Sequence, residues 1–203
     1  MRARLYIDDT RQRIRQGHPW IYDNQVLRTE GALEAGGIVQ VFDVKKGPLG
    51  QAYYNPKSKL RARLITKDLD EPIDKAFFLR KIQAAWDYRR RMVDTTSCRV
   101  VFGEADGLPS LVVDKFDDVL VLQTLALGMD RFKPVIAEVL REVTGLWKIY
   151  ERNDVPVREK EGLDQRTGFL GAEFDTGITI VENELALRVD IANNGAEVLA
   201  LTE

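Results

Sequence analysis

The stretch Gly103-Glu104-Ala105-Asp106-Gly107-Leu108-Pro109-Ser110, running on into Leu111-Val112-Val113-Asp114, decides how the chain is read. It lies between two strand-like runs, Arg99 to Phe102 and Leu111 to Val113. A plain hairpin needs only two special residues at its turn. Here two acids, two glycines and a proline are packed together. Gly107 can take a left-handed conformation and Pro109 fixes its own φ, so the segment reads as a shaped acidic turn inside a sheet.

The surroundings extend that reading. Val119 to Thr124 is an apolar run of strand length. Asp130 to Glu142 places Phe132, Val135, Ile136, Val139 and Leu140 on one helical face. Trp147 to Tyr150 reads as a strand, and Ile178 to Val181 with Leu185 to Ile191 as a terminal hairpin. Upstream, a helix is predicted over 73–93, with Asp70 as its cap, Pro72 in its first turn, and Arg80, Lys81, Arg89, Arg90 and Arg91 on its polar side. This pattern predicts an α+β domain of EEHEE type over 71–191.

Residues 1–70 differ in kind. Short strands over 2–7, 38–42, 49–54 and 59–65 are punctuated by Gly47-Pro48 and Asn55-Pro56, which predicts a small β-barrel or sandwich. The acidic run Asp68-Leu69-Asp70-Glu71-Pro72 is the predicted linker. Charge follows the same division. Residues 1–70 carry 13 Lys/Arg against 8 Asp/Glu, a net of +5, and the remainder carries 17 against 24, a net of −7. A basic module beside an acidic one points to an anionic partner, nucleic acid first.

Several classes of chemistry lack their residues. His18 is the single histidine and Cys98 the single cysteine, so no metal-ligand spacing and no internal disulfide is possible. Cys98 has no general base nearby in sequence and reads as a small apolar residue. There is no Gly-flanked serine elbow, no P-loop and no G-x-G-x-x-G after a strand. Catalytic, cofactor-binding and metal-binding residues are therefore expected to be absent. No apolar run approaches the roughly 20 residues needed to span a bilayer, and the start of the chain does not read as a signal peptide, so a cytoplasmic protein is expected.

The candidate RNA-binding residues are cations. Lys59, Arg61 and Arg63 alternate with Leu60, Ala62 and Leu64, which in a strand would set three cations about 7 Å apart on one face, a spacing that can follow a phosphate backbone. An ordinary solvated strand face would carry the same pattern. Arg11, Arg13 and Arg15 alternate likewise, and Arg2 and Arg4 add to the field. His18, in Gly17-His18-Pro19-Trp20, reads either as a turn cap or as a stacking contact to RNA. Glu104 with Asp106, and Arg152, Asp154, Arg158 and Glu161, read as ion-pair networks that specify geometry rather than as an acid–base pair.

Four segments in series resemble the PUA-domain-containing, S-adenosylmethionine-dependent 23S rRNA (cytosine-C5) methyltransferases. Gly17 to Tyr22 resembles that family's GHPWVF/Y start, and Gly50 to Ser58 its GYYNP-S segment. Gly103 to Asp114 is similar to its GEADGLPGLIVD signature. The structural motif residues Gly103, Glu104, Asp106, Gly107 and Pro109 lie in it. Tyr150 to Asp154, with Arg158 and Glu161-Gly162-Leu163, resembles YERSD…R..EGL.

The resemblance implies a PUA domain over 1–70, a central domain over 71–191, ribosomal RNA as partner and a homodimer as a candidate assembly. It implies S-adenosylmethionine as cofactor of the full-length family and none in this chain. The family's Rossmann-like catalytic domain opens with GQKTGFFLDQR. Residues 192–203 depart from that pattern, so the expectation is a truncated or frame-shifted product that binds RNA without methyl transfer and lacks the catalytic domain. A stand-alone RNA-binding or protein-adaptor module is the alternative.

Overall fold

The computed structural model describes residues 2–9, 12–182, 185–193 and 195–201. The first module forms β1 (Arg4–Ile7), β2 (Trp20–Ile21), β3 (Val26–Glu30), β4 (Ile38–Asp43), β5 (Gly47–Tyr54) and β6 (Ala62–Thr66). They make one six-stranded sheet in the order β2-β6-β5-β4-β1-β3, with β1 and β4 parallel. The sheet keeps two edges, β2 and β3, so it is not a closed barrel. Period-two alternation sends Leu5, Ile7, Val39, Val41, Ala52 and Leu64 into a common core. Gly50 is required by close approach. A Cβ there would lie 2.1 Å from the Thr66 carbonyl oxygen, beside the irregularity in the β5–β6 register.

The second module begins with α1 (Lys75–Met92). Asp74, not Asp70, caps it, accepting the Phe77 N–H at 3.1 Å. Asp70 instead pairs with Arg2 at 3.0 Å. The acidic linker is held down along its length. Gln51 donates to the Asp68 and Glu71 carbonyls, and Gln40 to that of Leu69.

Then follow β7 (Ser97–Phe102), β8 (Leu111–Phe116), β9 (Val119–Thr124), α2 (Leu127–Arg131), α3 (Lys133–Thr144), β10 (Lys148–Asn153) and β11 (Arg166–Phe169). The sheet order is β11-β10-β9-β8-β7. Here the expected α+β arrangement fails. β9 and β10 are parallel neighbours joined by α2 and α3, so the sheet is mixed and carries a β-α-β crossover, the building unit of α/β folds. Two adjacent parallel strands cannot be joined by a tight turn, and the helical segment between them supplies the return path. The core lies between the sheet and α1 and α3, with Phe77, Phe78, Ile82, Leu120, Leu122 and Val139 fully buried.

The predicted terminal hairpin is present as β12 (Gly177–Glu182) and β13 (Leu185–Asp190). Residues 195–201 form a further strand, β14 (Gly195–Leu201), antiparallel to β13. Val119, Tyr150 and Ile191 form a small apolar cluster with Phe169, Phe174 and Val189, joining this sheet to the face of the mixed sheet away from the helices.

Candidate nucleic-acid interface

The exposed cations gather around one turn. Residues 12–17 fold back over buried Ile14, and the buried Asp9 carboxylate accepts the N–H groups of Ile14 and Arg15, both at 3.3 Å. Arg13 is left pointing to solvent, while Arg15, also exposed, donates to the Lys46 carbonyl at 2.6 Å. His18 caps the next step, its Nδ1 accepting the Trp20 N–H at 3.3 Å with its ring edge-on to the indole. Trp20 and Tyr22 stand partly exposed, and with Arg13, Asn24, Gln25 and Lys59 they line a cleft of about 480 Å³ whose other walls are Asp8, Asp9 and Asp23. Cations, two ring faces and side-chain amides on one concave surface are what an unpaired nucleotide needs: charge for phosphate, a plane for the base, and donors and acceptors for its edge.

The alternating row Lys59, Arg61, Arg63 does not form. β6 starts only at Ala62, so Lys59 lies in the preceding bends and Arg61 just after them, where it donates to the Pro56 carbonyl. Arg63 is buried at 6% exposure and bonded to Glu161 at 3.0 Å, which removes it from any surface. Arg2 is exposed and paired with Asp70, and Arg4 lies beside Glu30 and Phe42. Arg11 falls outside the described residues.

Arg63 belongs instead to a buried junction between the modules. Glu161 ends a short 3-10 turn, Pro156–Glu161, released by Gly162 in the left-handed region. Its Oε1 accepts from Ser58 Oγ at 2.7 Å and from Arg63, and its Oε2 from Asn55 Nδ2 at 2.9 Å. Burial raises the pKa of this carboxyl, but Arg63 and the bonds from Ser58 and Asn55 outweigh it and leave the group below its ordinary range. Nearby, Tyr53 donates its buried hydroxyl to the Pro109 carbonyl at 2.7 Å, and burial pushes that phenol up. Gly128 lies against the same ring, where a Cβ would come within 2.3 Å.

The acidic turn is structural on both sides. Gly103–Asp106 is a 3-10 turn closed by Gly107 at φ +66°. Asp106 receives both arms of Arg89, at 2.6 and 2.8 Å, and the Phe102 N–H at 2.6 Å. Glu104 accepts the Trp20 indole N–H at 2.8 Å, tying the turn to the cleft. Arg152 forks onto Asp154 at 3.1 and 2.7 Å.

Arg158, 1% exposed, donates to the Thr124 carbonyl, to Asp130 at 2.9 Å and to the Asp164 carbonyl. Lys133 bridges Asp130 at 3.0 Å and Glu151 at 2.6 Å. Burial raises the Asp130 pKa, and bonds from Thr124, Arg158 and Lys133 more than reverse it. Asp130 and Lys133 are invisible as site residues in the sequence. Their one signal is the opposite charge three positions apart in a segment that reads as helical.

Residues 8–67 match the family model of the PUA-like domain. The chain is 36% identical over 195 residues to "Ribosomal RNA large subunit methyltransferase I" of Alteromonas mediterranea, covering 94% of this chain and 49% of that protein. It is 37% identical over 198 residues to the protein of the same name from Aliivibrio fischeri, covering 95% and 50%. It thus spans about half the length of the curated relatives it matches.

Among solved structures, one from Streptococcus mutans described as a candidate SAM-dependent methyltransferase superposes with TM-score 0.75 at 18% identity, covering 98% of this chain and 51% of the other. A second, a methyltransferase complexed with SAH, superposes with TM-score 0.75, covering 96% and 49%. In place of the expected α+β chain, this is an α/β chain that matches about half of each of these structures.

The carboxyl ends of parallel strands are where open α/β sheets hold ligands. At the ends of β9 and β10, Thr124, Asn153, Asp130 and Arg158 are bonded to one another. The chain's own side chains meet one another across that crevice. The described residues contain no cluster suited to a metal ion and no helix long and apolar enough to cross a membrane.

Proposed function

We propose that this chain is the RNA-holding part of an S-adenosylmethionine-dependent enzyme that methylates large-subunit ribosomal RNA at C5 of a cytosine. Residues 1–70 are its PUA-like RNA-binding unit and 71–191 the unit that orients it, and an rRNA partner places the protein in the cytoplasm. The observation that carries the reading is the cleft bounded by Arg13, Lys59, Trp20 and Tyr22, inside the segment that matches the PUA-like model. In it, Arg13 and Lys59 hold phosphate while Trp20 and Tyr22 offer ring faces to a base. The names of the relatives supply the substrate class. No step through S-adenosylmethionine is assigned to these residues.

A salt titration with a large-subunit rRNA fragment tests it. The logarithm of affinity should fall linearly with the logarithm of salt, and each phosphate contact removed should shallow the slope by about 0.7–0.9. Changing Arg13, Arg15 and Lys59 together to Ala should lower affinity and slope. An unchanged slope overturns the reading.

A further inference from the structure

On the solvent side of the first sheet, four side chains stand in a row across β3, β1 and β4. The register sets Tyr6 opposite Arg28 on one side and opposite Phe42 on the other. The Arg28 guanidinium lies 3.7 Å from the Tyr6 ring centroid, the Tyr6 and Phe42 rings stack at 5.5 Å with 25° between planes, and Arg4 sits 5.5 Å from the Phe42 centroid. Glu30 fastens the row, accepting the Tyr6 hydroxyl at 2.9 Å and an Arg28 N–H.

The row is not explained by core packing. Tyr6 and Phe42 belong to none of the apolar clusters among the described residues, and their neighbours Leu5, Ile7 and Val41 bury the other face completely. Arg28 closes one end with 57% of its side chain exposed. Lys45 and Lys46 follow Phe42 in the β4–β5 turn, both exposed, so the surrounding charge is positive.

We propose that this row is a base-stacking platform for single-stranded RNA, with an unpaired base laid on the outer face of the Arg28 guanidinium and its phosphates drawn to Arg4, Lys45 and Lys46. A guanidinium plane backed by a ring is a stacking surface that every base can use. Glu30 is the internal anion that keeps Arg28 flat until RNA arrives. The inference rests on the RNA-binding reading above but uses different residues from the cleft.

The test compares short single-stranded RNA with a duplex of the same sequence, using the full chain. Arg28→Lys keeps the charge and removes the plane. It should weaken single-strand binding about five-fold or more, the loss of one stacked base, and leave duplex binding, salt slope and thermal unfolding unchanged. Phe42→Leu, which keeps bulk and removes the second ring, should weaken single-strand binding in the same direction. Unchanged single-strand binding in both variants, or equal losses for single strand and duplex, overturns the platform while salt-dependent binding by the unaltered chain keeps the broader reading. Absence of salt-dependent RNA binding by the unaltered chain overturns both.

Discussion

Arg63 and Arg13 are the same residue type in the same basic module, and the fold uses them in opposite ways. Arg63 is sealed between two modules against Glu161, with Asn55 and Ser58 completing the carboxylate's bonds. Arg13 stands in water at the lip of a cleft. The difference lies in what a charge costs. A guanidinium taken out of water must be matched by an anion and further hydrogen bonds, so it can serve only to define geometry. One left in water is free to meet an outside anion. Asn55, Ser58 and Glu161 join the two modules, Asp106 and Arg158 fix turns within the second, and the exposed cations are left for the proposed binding.

The contrast is open to measurement, beginning with the largest expected effect. Glu161→Ala should cost about 3–5 kcal/mol in denaturant unfolding, because Arg63 would be left buried without its partner. A loss below about 1 kcal/mol would mean that water reaches the junction. Asp106→Ala should cost about 1.5–3 kcal/mol, since it removes a charge-assisted pair of bonds to Arg89 and one from the Phe102 N–H. Gly128→Ala should cost about 1–3 kcal/mol by driving a methyl into the Tyr53 ring.

Acid should act on the buried carboxylates. Glu161 and Asp130 have folded-state pKa values below their ordinary 4.5 and 3.8, so the unfolded chain binds protons first. Their stabilisation is present in full above those values and is lost as pH falls through them and on through the lower folded-state values. Glu161→Gln should flatten that part of the stability–pH curve. The smallest effect belongs to Arg13→Ala, expected within about 0.5 kcal/mol of the unaltered stability while it shallows the salt dependence of RNA binding.

Local structure was readable where a residue acts on its near neighbours. α1 follows from its apolar spacing, and the turn at 103–110 from its glycines and proline. The cap of α1 was misplaced by four residues, because Asp70 and Asp74 look alike in sequence and differ only in which of them Arg2 engages. What could not be read was partnership at a distance. Strict alternation suggested that Arg63 shares a face with Lys59, but the bends at 56–60 break the strand before that register is set. The anion that claims Arg63 comes from 98 residues further along. The α/β character was missed for a related reason. Periodicity identifies a strand, yet whether β9 and β10 lie side by side and parallel is a property of the path between them.

The bonds from Asn55 to Glu161 span 106 positions, and their separation along the chain fixes an order of events. During synthesis the first sheet can pair as soon as β6 leaves the ribosome. Its anchoring carboxylate arrives only after about 5–20 seconds more, at ordinary elongation speeds. Through that interval Arg63, Asn55 and Ser58 face the solvent as an incomplete socket, and the nascent sheet must be soluble with it open. Closure is therefore a late docking step, and a variant that weakens it should leave nascent chains open to proteolysis for longer.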